Sequence, residues 1–215
     1  PFVPALARVQ SAIFGASPFG LRVVPALATA ASVVLTGALA REFGGDVRAQ
    51  VWSAVAVGGA VFVLAVGHLL STATFDFMFW LALIVVVARL LRTGDPRWGG
   101  TYGAVAGIAL WNKHLPVLLT AAVLIALVAG RRLDLLASRW LAVGGALALL
   151  IAAPTLVWQA INGWPQVEMA AALSERIGGE SRALLLPLQL VMLGPLTIPL
   201  VIAGAAWMRR TGGRT

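Results

Sequence analysis

One lysine and one isolated aspartate stand out among the residues that could do chemistry. Lys113 is the single lysine among sixteen Lys and Arg residues. It sits in Asn112-Lys113-His114-Leu115-Pro116, where two apolar runs meet, rather than in a basic loop. A flexible ammonium at such a break suits a phosphate or pyrophosphate head group. A lysine that snorkels to the membrane interface would look the same, but the flanking Asn112 and His114 favour binding. Asp76 heads another apolar run, at the end of His68-Leu-Leu-Ser-Thr-Ala-Thr-Phe-Asp76. A carboxylate there can position or deprotonate a hydroxyl, or bind a metal. A structural role is equally simple: Thr74 as N-cap and Asp76 in the first turn, where the helix dipole favours negative charge. Arg22 follows Ser17-Pro18-Phe19-Gly20 and can face an anionic lipid group or anchor the helix at the interface. Trp164 precedes a proline in the polar stretch Gln159–Arg182 and can touch a substrate. With Trp111 and Trp158 it also fits an aromatic belt. His68 reads as a polar group between helices, and Glu168, Glu175 and Glu180 as a solvated loop.

These residues must be positioned by apolar helices. The chain has 215 residues, 60% hydrophobic and only 11% charged, with mean hydropathy +0.93. Soluble domains are nearer half apolar and about one quarter charged, so a disordered chain or an ordinary water-soluble globule is excluded. There is no cysteine, which removes disulfides, thiolate metal sites and thiol nucleophiles. Two histidines leave little for a His-rich metal site, and no metal ligand set is assigned. No phosphate-cradling loop of the Walker type is present. About 20 apolar residues cross the hydrocarbon core, and seven weakly charged runs are candidates: Val23–Ala40, Ala49–Phe75, Phe77–Ala88, Trp98–Asn112, His114–Gly130, Trp140–Val167 and Ala183–Met208. Pro116 suits the first turn of the fifth. Residues 1–15 are too short to span. Phe2, Leu6, Val9 and Ile13 form an apolar stripe with Arg8 and Gln10 off it, the pattern of a helix lying in the interface. Gly99, Gly100, Gly103 and Gly107 read as close helix packing.

Charge gives the orientation. Eleven of the sixteen basic residues fall in alternate loops, at Arg41 and Arg48, Arg89–Arg97, Arg131–Arg139 and Arg209–Arg214. That side is expected to be cytoplasmic, which also accounts for the net charge of +8 without nucleic acid. Lys113, Asp76 and Arg22 then share the extracytoplasmic side. The reading is one transmembrane domain, 1–215, with an interfacial helix at 1–15, membrane helices over 16–210 and an outer loop at about 159–182. The start at Pro1 and the absence of a leader pattern are expected of a piece of a longer protein.

The order of several segments resembles the polytopic glycosyltransferases of family 39, the protein O-mannosyltransferase and aminoarabinose-transferase class with the GT-C membrane fold. Pro1-Phe2-Val3-Pro4-Ala5-Leu6 resembles the start of that family's juxtamembrane segment. Phe14 to Arg22 resembles its entry to the next helix, and Gly37 to Gly45 its short cytoplasmic turn. Leu70-Ser71-Thr72-Ala73-Thr74-Phe75-Asp76 is similar to the segment carrying its second acidic residue. Ala104 to Lys113 resembles its "GLALLTK" signature, and Trp158 to Pro165 its "W-N-x-x-x-G-W-P" loop.

The resemblance implies an all-α, polytopic, GT-C-like protein of the cytoplasmic membrane with its active face extracytoplasmic. It implies transfer of a sugar from a polyprenyl-phosphate donor to a lipid or protein acceptor, usually with inversion. Lys113, and with it Arg22, would neutralise the donor phosphate; Asn112, His114 and Trp164 would line the substrate site; Asp76 would be a supporting acid. The family's main catalytic acid precedes the segment at Pro1 and is not in this sequence, so this stretch alone is expected to be inactive. Some relatives of the fold use a divalent metal and others do not. Two readings from other classes stay open: a secondary transporter or flippase-like carrier, pointed to by the break at Asn112–Pro116, and a non-catalytic membrane assembly protein.

Overall fold

In lipid, backbone N–H and C=O groups need internal partners, so a chain this apolar closes them within helices. The computed structural model describes residues 2–177 and 182–211; Pro1, Glu180 and Arg214 lie outside them. Among the described residues there are twelve helices and no strand. They are α1 (Phe2–Phe14), α2 (Pro18–Glu42), α3 (Val47–Gly58), α4 (Val61–Val66), α5 (Thr72–Thr93), α6 (Trp98–Asn112), α7 (Pro116–Ala129), α8 (Leu133–Leu136), α9 (Arg139–Ile161), α10 (Pro165–Ile177), α11 (Arg182–Leu193) and α12 (Thr197–Thr211). The chain is an all-α, multi-pass membrane protein.

Seven uninterrupted crossings are not what forms. Among the described residues α2, α5 and α9 alone are long and apolar enough to cross, with α11 and α12 a fourth crossing if that bent pair is one span. The run 49–75 is interrupted between α3 and α4 at Gly59-Ala60 and again before Thr72. Segments Leu186–Leu193 and Thr197–Ala206 meet at 106° around Gly194-Pro195-Leu196. At 15 residues α6 is about 22 Å long, short of a ~30 Å core. Apolarity alone cannot register these glycine and proline stops. The expected outer loop is also largely helical, as α10.

Helices α2 and α5 run side by side in the same direction. Thr29 Oγ1 donates to the Gly67 carbonyl just before α5 (2.6 Å), and at the far end Glu42 meets Arg89. Helix α6 returns beside α5 and is joined by α9, parallel to it. Gly103 opposes Gly144 so closely that a Cβ on either would overlap backbone carbonyl atoms of the facing helix. The Trp111 indole donates to the Ile151 carbonyl at 2.5 Å, a tie between α6 and α9 rather than a belt position. The interrupted α3–α4 segment and the bent α11–α12 pair lie together. Gly194 faces Ala60 and Val61, Leu196 reaches Gly59, and Thr197 Oγ1 donates to the Ala56 carbonyl at 3.2 Å.

A small core of Ala28, Phe75, Phe79 and Ala109 underlies the end of the bundle where Lys113 lies. Helix α1 closes it: the Phe2 ring stands edge-on to Phe75 and Phe79, with centroids at 5.2 and 5.7 Å. This shifts the expected face of α1. Phe2 and Leu6 pack on the core as the stripe requires, but the face continues at four-residue steps through Gln10, 1% exposed, while Val9 and Ile13 are exposed. Packing on the core, not polarity, selects that stripe.

Candidate functional site

The site is built where α5 starts, α6 stops and α10 begins. Ser71, with extended backbone, caps α5, and its Oγ accepts from the Thr74 N–H at 3.4 Å. Thr74 is therefore not the cap. Its buried hydroxyl is shared by the carbonyls of Val66 (2.9 Å) and Leu69 (2.8 Å), which pins the preceding turn. The helix start at Thr72 leaves no acid in the first turn of α5. Asp76 is one step deeper, beyond the N-terminal groups that a cap or dipole would serve. Its largely buried side chain points to the break in α6, with Oδ2 4.0 Å from Lys113 Nζ, while among the described residues no group bonds the buried Oδ1.

Lys113 ends α6. Its N–H still donates to Ala109 (3.0 Å), but its backbone is extended (φ −151°, ψ 156°), and Pro116 starts α7 as its first residue. Leu115, although it precedes a proline, keeps helical geometry (φ −56°, ψ −32°), so the break that parts the two apolar runs falls at the extended Lys113, and Pro116, with no N–H to bond back, opens the next helix. Asn112, buried, donates from Nδ2 to the Thr72 carbonyl at 2.9 Å, tying α6 to the start of α5; its buried Oδ1 has no partner among the described residues. His114 is bonded through Nδ1 to Gln166 Oε1, and its buried Nε2 has no partner among the described residues.

Helix α10 supplies Gln166. Gly163 and Trp164 both have positive φ (74° and 60°), a tight reversal that is rare for a bulky residue. The Trp164 N–H donates to the Gln159 carbonyl at 2.8 Å, and the Gln166 N–H reaches the buried Gln159 Oε1 at 3.4 Å. Trp164 itself is 47% exposed.

Asp76, Asn112, Lys113 and His114 are thus brought to one corner, with Trp164 on the turn that delivers Gln166 to it. Arg22 is at the same end of the bundle but exposed, with no ion pair or hydrogen bond among the described residues. His68 is exposed in the turn after α4 rather than held between helices, because Gly67, not His68, meets Thr29. Gln166 escaped the sequence reading, as did Trp80, one turn below Asp76, whose buried Nε1 has no partner among the described residues; Gln10, read as lying off the apolar stripe, is buried. For Gln166 an amide directly after Trp164-Pro165 was the available signal.

At the opposite end Glu42, 1% exposed at its side chain, accepts from Arg89 Nε and Nη2 (2.7 and 2.5 Å) and from Arg92 Nε (2.6 Å). Arg89 also stacks on Trp98, 4.9 Å from its ring centre. Between the ends, an apolar cleft of about 470 Å³ separates α7 from the α6–α9 pair. It runs from Pro116, close to Lys113, down to Leu127 and Leu90. Its two polar side chains, Tyr102 and Thr120, bond each other at 3.0 Å.

An ammonium beside a partly satisfied carboxylate, three residues before the Pro116 that lines an apolar cleft, can hold an anionic head group whose tail is hydrocarbon. Among the described residues no three His, Cys, Asp or Glu side chains are grouped closely enough to hold a metal ion. No curated protein and no solved structure matches the chain. A family model does, over residues 1–158, which include Asp76, Asn112, Lys113 and His114 and stop short of Trp164 and Gln166. Its description is dolichyl-phosphate-mannose-protein mannosyltransferase, and with most of its length matched, the chain belongs to that family.

Proposed function

We propose that the corner formed by Lys113 and Asp76 is the donor head-group site of a membrane glycosyltransferase. The enzyme takes its sugar from a polyprenyl phosphate and passes it, on the extracytoplasmic side of the cytoplasmic membrane, to a lipid or protein acceptor. The observation that carries this reading is the 4.0 Å approach of Lys113 Nζ to Asp76 Oδ2 at a helix break, with the second Asp76 oxygen left for a ligand.

The chemistry fits an inverting transfer. An acceptor hydroxyl oxygen bonds to the anomeric carbon, and the bond from that carbon to the phosphate oxygen breaks. The electron pair leaves with the phosphate, and the acceptor proton passes to a base. Charge that grows on the departing phosphate is stabilised by a fixed cation, the role of Lys113, with exposed Arg22 attracting the anion from outside. Asp76 accepts from a hydroxyl and orients the head group. Trp164 stands on the turn above. The prenyl chain lies in the cleft between α7 and the α6–α9 pair, which begins beside the head-group corner.

A carrier would place its polar groups at mid-depth, where broken helices meet. Here that junction is lined mainly by apolar side chains, with Gln189 and Thr197 the exceptions.

The test is transfer by the full-length protein that carries this chain, in its membrane. Lys113→Ala should abolish transfer from polyprenyl-phosphate mannose while leaving insertion and yield intact. Unchanged transfer would remove the corner from the reaction.

A further inference from the structure

Three buried atoms at this corner have no hydrogen-bond partner among the described residues: Asp76 Oδ1, Asn112 Oδ1 and His114 Nε2. Their neighbours decide what each can do. Asn112 spends its amide N–H on the Thr72 carbonyl, which leaves Oδ1 as an acceptor. His114 faces Gln166 Oε1 with Nδ1. A carbonyl oxygen can only accept, so Nδ1 carries the hydrogen. In the uncharged imidazole the other nitrogen then presents a lone pair. Asp76 Oδ1 belongs to a carboxylate and also accepts. All three are acceptors, and the cation that meets them among the described residues is Lys113, whose Nζ is 4.0 Å from Asp76 Oδ2. A buried acceptor without a donor is costly.

We propose that this acceptor set reads the hydroxyl groups of the donor sugar, and that Gln166 is a positioning residue that fixes His114 in the tautomer the reading requires. A ligand carrying several O–H donors next to an anionic group is the complement of acceptors on Asp76, which meets the Lys113 ammonium, and on Asn112 and His114, which flank it in the chain. A sugar linked to phosphate has that make-up; a bare phosphate or a phospholipid lacking hydroxyls does not. The inference rests on the head-group reading above and adds to it the class of recognition and the part of α10. A metal-ligating histidine is oriented through its second nitrogen in the same way.

The experiment uses the full-length protein with polyprenyl-phosphate mannose as donor, recording folded yield, KM and kcat. Gln166→Leu should raise the donor KM about tenfold, the size of one buried neutral hydrogen bond lost, with kcat changed less than twofold. Gln166→Glu, which still accepts from Nδ1–H, should restore KM to within about threefold. If both variants behave as wild type, or both lose folded protein equally, Gln166 only docks α10 and the inference falls. A set of monodeoxy-mannose donors provides the second arm. One of them should bind wild type more weakly than the parent donor, yet bind His114→Phe no more weakly than that variant binds the parent. If no deoxy donor discriminates while Lys113→Ala still abolishes transfer, sugar reading fails and the phosphate site stands. If Lys113→Ala transfers normally, the head-group reading itself is lost.

Discussion

Lys113 and Asp76, from the end of one helix and the start of another, meet with Nζ 4.0 Å from Oδ2 while the carboxylate lies outside the first turn of its own helix. A capping acid would be worth keeping for stability; this one is not placed to cap. Asp76→Asn should therefore lower transfer by about a hundredfold or more, in the range of lost acid–base or positioning groups, with thermal unfolding in detergent shifted little. A parallel fall in folded yield would return Asp76 to a structural role.

Glu42 offers the reverse case. It is buried and bonded by both Arg89 and Arg92, far from Lys113 along the bundle. Removing one partner of a fully buried pair costs about 3–5 kcal/mol. Both guanidiniums here reach solvent, so Glu42→Gln should cost about 2 kcal/mol. Melting temperature should fall, while donor KM per folded molecule stays unchanged.

The α6–α9 seam sets a steric limit. A methyl group on Gly103 would meet the Gly144 backbone, whereas one on Gly145 would meet nothing. Gly103→Ala should destabilise by at least the 1–3 kcal/mol typical of overpacking, and Gly145→Ala should be neutral or slightly stabilising through helix propensity. Detergent unfolding of the two variants side by side makes the comparison.

The cleft can be filled without touching the head-group corner. Ala121 lines it on α7. Ala121→Trp should raise KM for a long-chain polyprenyl-phosphate mannose severalfold and leave KM for a short, water-soluble prenyl analogue unchanged. An equal effect on both donors would place the chain elsewhere.

Much of the arrangement could be read in advance where a single residue type forces it. Pro116 dictated where α7 begins, and glycines at 99, 103 and 107 dictated a close partner for α6. The juxtaposition of Asp76 with Lys113 followed from assigning both to one side, although their distance could not. Three things were hidden. Ser71 rather than Thr74 caps α5 because Thr74 is taken by two carbonyls from the preceding turn, a tertiary choice between adjacent hydroxyls. The buried face of α1 was set by Phe2 against Phe75 and Phe79, which no periodicity within α1 reports. The Glu42 cluster joins residues whose separate loops looked merely basic, since counting positive charge passes over the one acid among them.

The contact between the α3–α4 junction and α12 makes the order of synthesis matter. When α3 and α4 leave the ribosome, the junction at Gly59-Ala60 has no Thr197 hydroxyl to satisfy the Ala56 carbonyl, because that residue is translated more than a hundred positions later. Until α11 and α12 arrive, this stretch is poorly suited to face acyl chains alone. The pairing of the Ala56 carbonyl is therefore completed only once α12 has been made.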